Sequence, residues 1–358
     1  MADEISDRAL NRATLARQLL LERAALGVAE AVAAVGPLQA QEPRPPFVAL
    51  WSRIAGFERQ ALAAALAERR IVRAVWMRAT LHLTTAADLL ALRTAIQPAL
   101  SAAAAGIAKQ RDTTAAPADV AAEARRLLAD GPLDRAELAS GLAAALPDGE
   151  ERALSYIARM HLPLVAAPTD DAWSFGRSSR FADAERWLGA PVAAEPAPEA
   201  LARRYLAAFG PASAADLKTF AGIGDARAVL ERIADELVAL RSGRRTLYDL
   251  PDAPRPGADV PAPPRLLAPF DSVLLAHQDR SRLVAAEHRP ALISKNLRIP
   301  ATFLVDGMVA GIWTLERGKV ILAPFGRLAA ADRRALAAEA DSLAAFVAGD
   351  RPRVARSG

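Results

Sequence analysis

The sequence predicts a mainly α chain with small β elements (α+β): three tandem winged helix-turn-helix units followed by a C-terminal β-barrel-like domain. Three observations carry this. A segment recurs within the chain, since Gly131-Pro132-Leu133-Asp134-Arg135-Ala136-Glu137-Leu138 returns about 79 residues later as Gly210-Pro211-Ala212-Ser213-Ala214-Ala215-Asp216-Leu217. Each copy lies between helical patterns and runs on to two short strand patterns around a polar turn. Beyond a Pro-rich stretch from Pro251 to Pro264, alternating strand patterns replace the helical ones.

The elements follow in order. Helical spacing over about 10–21 and 27–35, then 47–54 and 58–68, leads into strand patterns at 71–77 and 80–84. With an Ala-rich helical connector over 86–110, this makes a first unit of residues 1–110. The second unit, 111–192, has helices at 118–129, from Asp134 onward and at 150–161. Its wing is expected at 162–168 and 172–175, around Thr169-Asp170-Asp171. The third, 193–255, has helices at 197–209, from Ser213 and at 224–234, with a wing at 237–240 and 245–250 around Ser242-Gly243. Asp134 and Ser213 each precede an acidic residue by three positions, the spacing of a capping box. The last unit, 256–358, has strand patterns at 301–305, 309–315 and 320–323, turns at Asp306-Gly307 and Arg317-Gly318, and a closing helix at 329–348.

Composition narrows the function classes. A chain of 358 residues is too long for one ordinary core, and 52% hydrophobic content excludes wholesale disorder. No run reaches the roughly 18–20 apolar residues a membrane span needs. The N-terminus MADEISDRALNR is charged rather than signal-like, which points to a cytoplasmic protein with no membrane partner. Zero cysteines exclude disulfides, Fe–S clusters and thiolate zinc, and none of the four histidines pairs at ligand spacing, so neither metal nor cofactor is expected. A monomer is expected. Net charge is only +4, yet Lys109, Lys218, Lys295 and Lys319 are the only lysines, so 41 of 45 basic side chains are arginines. Arginine suits phosphate and base-edge recognition, whereas GC-rich coding explains an Ala-, Arg- and Pro-rich chain without function. Only local clusters therefore count: Arg69-Arg70 with Arg73, Arg203-Arg204, Arg241 to Arg245, and Arg351 to Arg356.

The stretch Val35 to Pro46, VGPLQAQEPRPP, holds two glutamines, Gln39 and Gln41, between a Gly36-Pro37 break and three prolines. If Leu38–Gln41 is extended, both amides project to one side, and the flanking prolines oppose helix. Uncharged amides so held can position a water, read a base edge or cap a turn. Glu42 and Arg44 follow directly. Elsewhere, Phe270 to Arg282 packs two acids, His277 and two arginines into thirteen residues. It reads either as an ion network bracing an interface or as a phosphate site in which Arg280 and Arg282 bind while Asp279 or His277 orients them. Phe220 to Ala228 imitates a glycine-presenting phosphate turn, though the repeat explains its glycines as a plain inter-helix turn. His82, in Arg78-Ala79-Thr80-Leu81-His82, lies on the expected first wing.

Together Leu38-Gln39-Ala40-Gln41, Met77 to His82, Phe270 to Arg282 and Phe303 to Trp313 resemble the AlkZ/YcaQ-type bacterial DNA glycosylases over the whole length of the chain. The resemblance implies three tandem winged helices and a β-barrel around a basic concave DNA surface, with a catalytic pair at Gln39 and Gln41. Glutamine at the second position is similar to the AlkZ branch, associated with self-resistance to DNA-alkylating natural products and with crosslink unhooking. The implied partner is double-stranded DNA carrying alkylated bases or crosslinks. The residues expected on the DNA face are Arg44, Arg78, His82, Arg244, Arg245, His277, Asp279, Arg280 and Arg282. One departure is Ala79, where the family pattern leads one to expect glycine. The chemistry fits an uncharged pair, because a ring-alkylated purine is cationic and already a good leaving group. An enzyme then needs to place water and tolerate a developing sugar cation, and an oriented dipole can contribute ~10²–10³ in rate. No lysine near the motif suits a Schiff base, which favours a monofunctional hydrolase over a lyase. The competing expectation is a non-catalytic winged-helix protein that regulates or sequesters.

Overall fold

The computed structural model describes residues 3–176, 179–292 and 299–349; the Arg351–Arg356 cluster lies outside them. It is a mixed α/β molecule with three sheets among the described residues. The largest has six strands, all antiparallel, in the order Leu38–Gln39, Leu81–Thr85, Ile71–Val75, Leu164–Ala166, Arg180–Asp183, Leu133–Asp134. The two ribbons expected as separate wings thus meet edge to edge, with Arg73 opposite Ala166 and Ala74 opposite Val165. Ile71–Val75 is buried along its whole length, as a strand flanked on both sides must be, and its Ile-Val-Arg-Ala-Val sequence is apolar apart from Arg73.

Helices form where spacing and caps expect them. Asp134 accepts hydrogen bonds from the backbone N–H groups of Ala136 and Glu137, and Glu137 accepts one from Asp134 N–H, closing a capping box for Arg135–Ala145. Ser213 and Asp216 do the same for Ala214–Ala221. That helix ends at Gly222 in the left-handed region, and Asp225 caps the next helix, Ala226–Arg232. The glycines there make a plain helix–helix turn.

Three expectations need correction. The strand that pairs with Leu164–Ala166 is Arg180–Asp183, not the expected 172–175. The Thr169-Asp170-Asp171 run closes its own loop, Thr169 N–H donating to Ser174 O at 2.8 Å and Ser174 N–H to Asp171 O at 2.8 Å, so the ladder resumes only afterwards. The first helix is Asp7–Arg17, not 10–21, and it docks between the Val238–Ser242/Arg245–Asp249 ribbon and the C-terminal sheet, while Gln18 at its end bonds to Val35 O and Arg53. Arg17 forms a two-point pair with Asp249 at 2.7 and 2.8 Å, both side chains buried, and Asn11 donates to the carbonyls of Arg282 and Gly307. The C-terminal strands Arg265–Leu267, Thr302–Val305, Met308–Glu316 and Lys319–Pro324 form an open antiparallel meander, not a closed barrel, among the described residues. Its outer strands do not pair with each other, and the helix Ala330–Ala348 packs against both.

One hydrophobic core runs from Val28 to Leu343 through the six-stranded sheet, the helices around it and part of the C-terminal sheet, while Leu10, Leu240 and Leu247 make a separate small cluster where the first helix meets its ribbon. A second core, built on Leu15, Leu267, Leu274, Leu283 and Leu304, lies beneath the C-terminal sheet. No helix among the described residues is long and apolar enough to cross a membrane.

Candidate active site

The glutamine stretch is held at the edge of the six-stranded sheet. Leu38 and Gln39 pair with Leu83 and His82, and Ala40 N–H donates to Leu81 O at 2.7 Å. The strand ends there, and residues 41–44 bend away. The next ladder donor, Leu81 N–H, is taken by the Gln41 side-chain oxygen at 3.3 Å. Gln39 Oε1 accepts from Arg78 Nη2 at 3.1 Å. Both amide oxygens are therefore anchored to one short segment of the neighbouring strand and its turn. Each oxygen keeps a second lone pair. Neither amide nitrogen has a partner among the described residues, and no carboxylate bonds to either glutamine. Gln41 is exposed and Gln39 half-buried.

That anchoring segment is a tight hairpin. Arg78 and Ala79 both have positive φ, 56° and 57°, and Thr80 N–H closes the turn on Met77 O at 3.2 Å. Two-residue hairpin loops of this kind require φ > 0 at both central positions, which normally selects Asn-Gly. Here neither is glycine, so the turn is strained beside the motif. Arg78 folds back over the Phe220 ring, 5.5 Å from its centroid, and its Nη1 is buried without a partner. Burial, then the nearby charge of Arg280, lowers its pKa to about 10, so it stays protonated at neutral pH. His82 is fully buried on the adjoining strand. Its Nδ1 lies 3.0 Å from Thr80 O, so this nitrogen carries the proton, and Nε2 has no partner. Burial, and then Arg78, pushes its pKa down to about 3; the ring is neutral.

From below, Arg73 clamps the stretch. Its Nε and Nη2 donate to the carbonyls of Ala40 and Gln41 at 2.8 and 3.1 Å, while its guanidinium lies 4.7 Å from the Phe175 ring centroid. A cleft of about 570 Å³ opens beside Glu42 and Arg44, walled by Val48, Phe270, Pro300 and Trp313.

A family model described as DNA glycosylase AlkZ-like matches residues 32–346, taking in the glutamine stretch, its hairpin and the C-terminal sheet. The chain belongs to the AlkZ-like DNA glycosylase family. The solved structure of Streptomyces sahachiroi DNA glycosylase AlkZ superposes with a TM-score of 0.77, covering 97% of each chain at 22% identity, a likeness of fold. None of the curated proteins matches.

Within this AlkZ-like architecture the expected site residues separate. Gln39, Gln41, Arg78 and His82 converge, and Arg280 stands close enough to depress the pKa of Arg78. Arg280 is half-buried with no ion-pair partner among the described residues. Arg44 and Arg244 are exposed. Arg245 and Asp279 pair with each other at 2.7 Å, and Arg289 adds a second cation to Asp279 at 3.3 Å. His82, His277 and Arg282, expected on a DNA face, are all buried. His277 donates through Nε2 to Phe209 O at 2.9 Å, and burial pushes its pKa down. Arg282 Nη1 donates to Pro211 O and Thr14 Oγ1 at 3.0 and 3.2 Å. With Asp216 accepting from Gln278 N–H, they fasten 270–282 to residues 209–216 and to the first helix, as the bracing reading has it. Of the other clusters, Arg203 pairs with Glu236, Arg204 with Asp88 and Arg70 with Glu68, so much of the arginine excess is structural. Sequence reasoning missed Arg73 as a clamp and Phe220 as the platform under Arg78. The signal for Arg73 was a lone cation inside an otherwise apolar strand pattern.

Proposed function

We propose that this chain is a monofunctional DNA glycosylase that hydrolyses the N-glycosidic bond of cationic alkylated purines of the 7-alkylguanine type, with Gln39 and Gln41 as the catalytic pair. The single observation that carries the reading is that one hairpin segment orients both amides, through Arg78 and through Leu81 N–H, with no carboxylate bonded to them among the described residues. Such a pair can hold a water by its free oxygen lone pairs and face a developing sugar cation without first protonating the base. A neutral, undamaged base needs an acid and a stronger base, so the pair selects labile lesions. The cleft beside Arg44 is of ligand-pocket size and mostly apolar, fitting a base displaced from the helix. Exposed Arg44 and Arg244 and unpaired Arg280 supply phosphate contacts on double-stranded DNA.

The same reading takes residues 1–110, 111–192 and 193–255 as three winged-helix units with 256–358 as the closing β unit. It places a monomer in the cytoplasm, with crosslink unhooking and self-resistance as the roles the second glutamine suggests. The test is single-turnover release of 7-methylguanine from methylated duplex. Gln39→Ala and Gln41→Ala are expected to slow release by ~10-fold or more with DNA affinity little changed, since the lost contact acts in the transition state. Wild-type rates in both variants, or no release by the wild type, overturn it; binding without release leaves the regulator or sequestering reading.

A further inference from the structure

Gln39 lies between two groups with opposite and fixed hydrogen-bonding characters. On one side Arg78 can only donate, and it holds the amide oxygen at 3.1 Å. Directly opposite Gln39 in the ladder stands His82, and residues paired in this way project from the same face of a sheet. Thr80 O, 3.0 Å from Nδ1, takes the ring's one proton, so Nε2 can only accept. That nitrogen is fully buried and has no partner among the described residues, an arrangement that ordinarily costs stability and calls for an explanation. The Gln39 amide nitrogen, on the end away from Arg78, has none either.

We propose that His82 is a positioning residue for Gln39: its Nε2 lone pair accepts the amide N–H of Gln39 in the working site, so that Arg78 and His82 together fix which end of the amide faces the substrate. An amide is nearly symmetric in shape, and a half-turn exchanges its oxygen for its nitrogen. A donor at one end and an acceptor at the other make only one of the two orientations favourable. With the wrong end forward, an N–H group would point at the developing cation and repel it. Positive charge on the imidazole would do the same, and burial beside Arg78 prevents it. The inference rests on the glycosylase reading for its kinetic arm only.

Two variants divide the ring's functions. His82→Asn carries an amide at the position of Nδ1, keeps the bond to Thr80 and leaves nothing where Nε2 was. His82→Gln reaches the position of Nε2 with an acceptor oxygen. Release of 7-methylguanine under single turnover is expected to fall about 10-fold in His82→Asn, no more than in Gln39→Ala, with the DNA dissociation constant unchanged and the rate measured below the variant's own thermal midpoint. His82→Gln is expected to recover most of the rate. A wild-type rate in His82→Asn, or equal losses in the two variants, overturns the proposal and leaves His82 as turn support. A second measurement needs no His82 variant. The ¹⁵N resonance of Nε2 in protein bound to methylated duplex is expected to differ between wild type and Gln39→Ala, in the direction of an accepted hydrogen bond in wild type. Identical resonances overturn the proposal. Failure of the wild type to release any base would instead sink the glycosylase reading, and the resonance would still report the contact.

Discussion

At the scale of single residues, the site is organised by a hairpin that its own sequence disfavours. Arg78 and Ala79 occupy left-handed backbone with side chains that resist it, at φ 56° and 57°. Left-handed backbone costs an L-residue roughly 1–2 kcal/mol, while glycine gives back part of that through its greater freedom when unfolded. Ala79→Gly is therefore expected to stabilise the protein by roughly 0.5–1 kcal/mol, read as a higher denaturation midpoint at unchanged slope. An unchanged or lower midpoint would show that the turn is not strained. The extended backbone at Leu38–Gln39 was legible, because prolines on both flanks left it as the ready option, though the strand stops short of Gln41. Its anchors were not. The strand patterns at 71–77 and 80–84 left Arg78-Ala79 as the link between them, but not its left-handed backbone, and the bond from Arg78 to Gln39 spans 39 positions of sequence.

At the scale of elements, local signals were readable and their long-range partners were not. Capping boxes at Asp134 and Ser213 depend on residues three apart, so the sequence shows them whole. The destination of the first helix depends on Asp249, more than 200 residues away, and periodicity carries no trace of it. The Phe270–Arg282 segment was ambiguous for the same reason: burial alone separates a brace from a binding surface, and it put His277 and Arg282 on the inside and Arg280 at the edge. The Arg17–Asp249 pair offers a test. Removing one member leaves a buried charge uncompensated, which typically costs 3–5 kcal/mol. Asp249→Ala is expected to lower stability by about that much, and more than loss of an exposed pair such as Arg126–Glu123. Equal effects in the two cases would mean that the first helix is not pinned there.

At the scale of the whole molecule, the surplus of arginine resolves into paired and unpaired groups. Arg203, Arg204 and Arg245 spend their charge on carboxylates, whereas among the described residues Arg44, Arg244 and Arg280 do not. The proposed DNA reading then predicts affinity that falls steeply with salt, and a logarithmic salt slope reduced by about one for each of Arg44→Ala, Arg244→Ala and Arg280→Ala. Arg203→Ala serves as the paired control and is expected to leave the slope unchanged. A binding constant indifferent to salt would remove DNA as the ligand. The junction of Arg73 with Ala166 and of Ala74 with Val165 has a consequence of another kind. Because one continuous ladder crosses from the first ribbon to the second, the molecule cannot be cut into self-sufficient modules at residue 110. Either fragment would carry an open strand edge, with Ile71–Val75 or Leu164–Ala166 presenting bare N–H and C=O groups to any passing chain. A duplicated or shuffled copy of either piece would be born sticky, which ties the inheritance of the glutamine-bearing half to that of its neighbour.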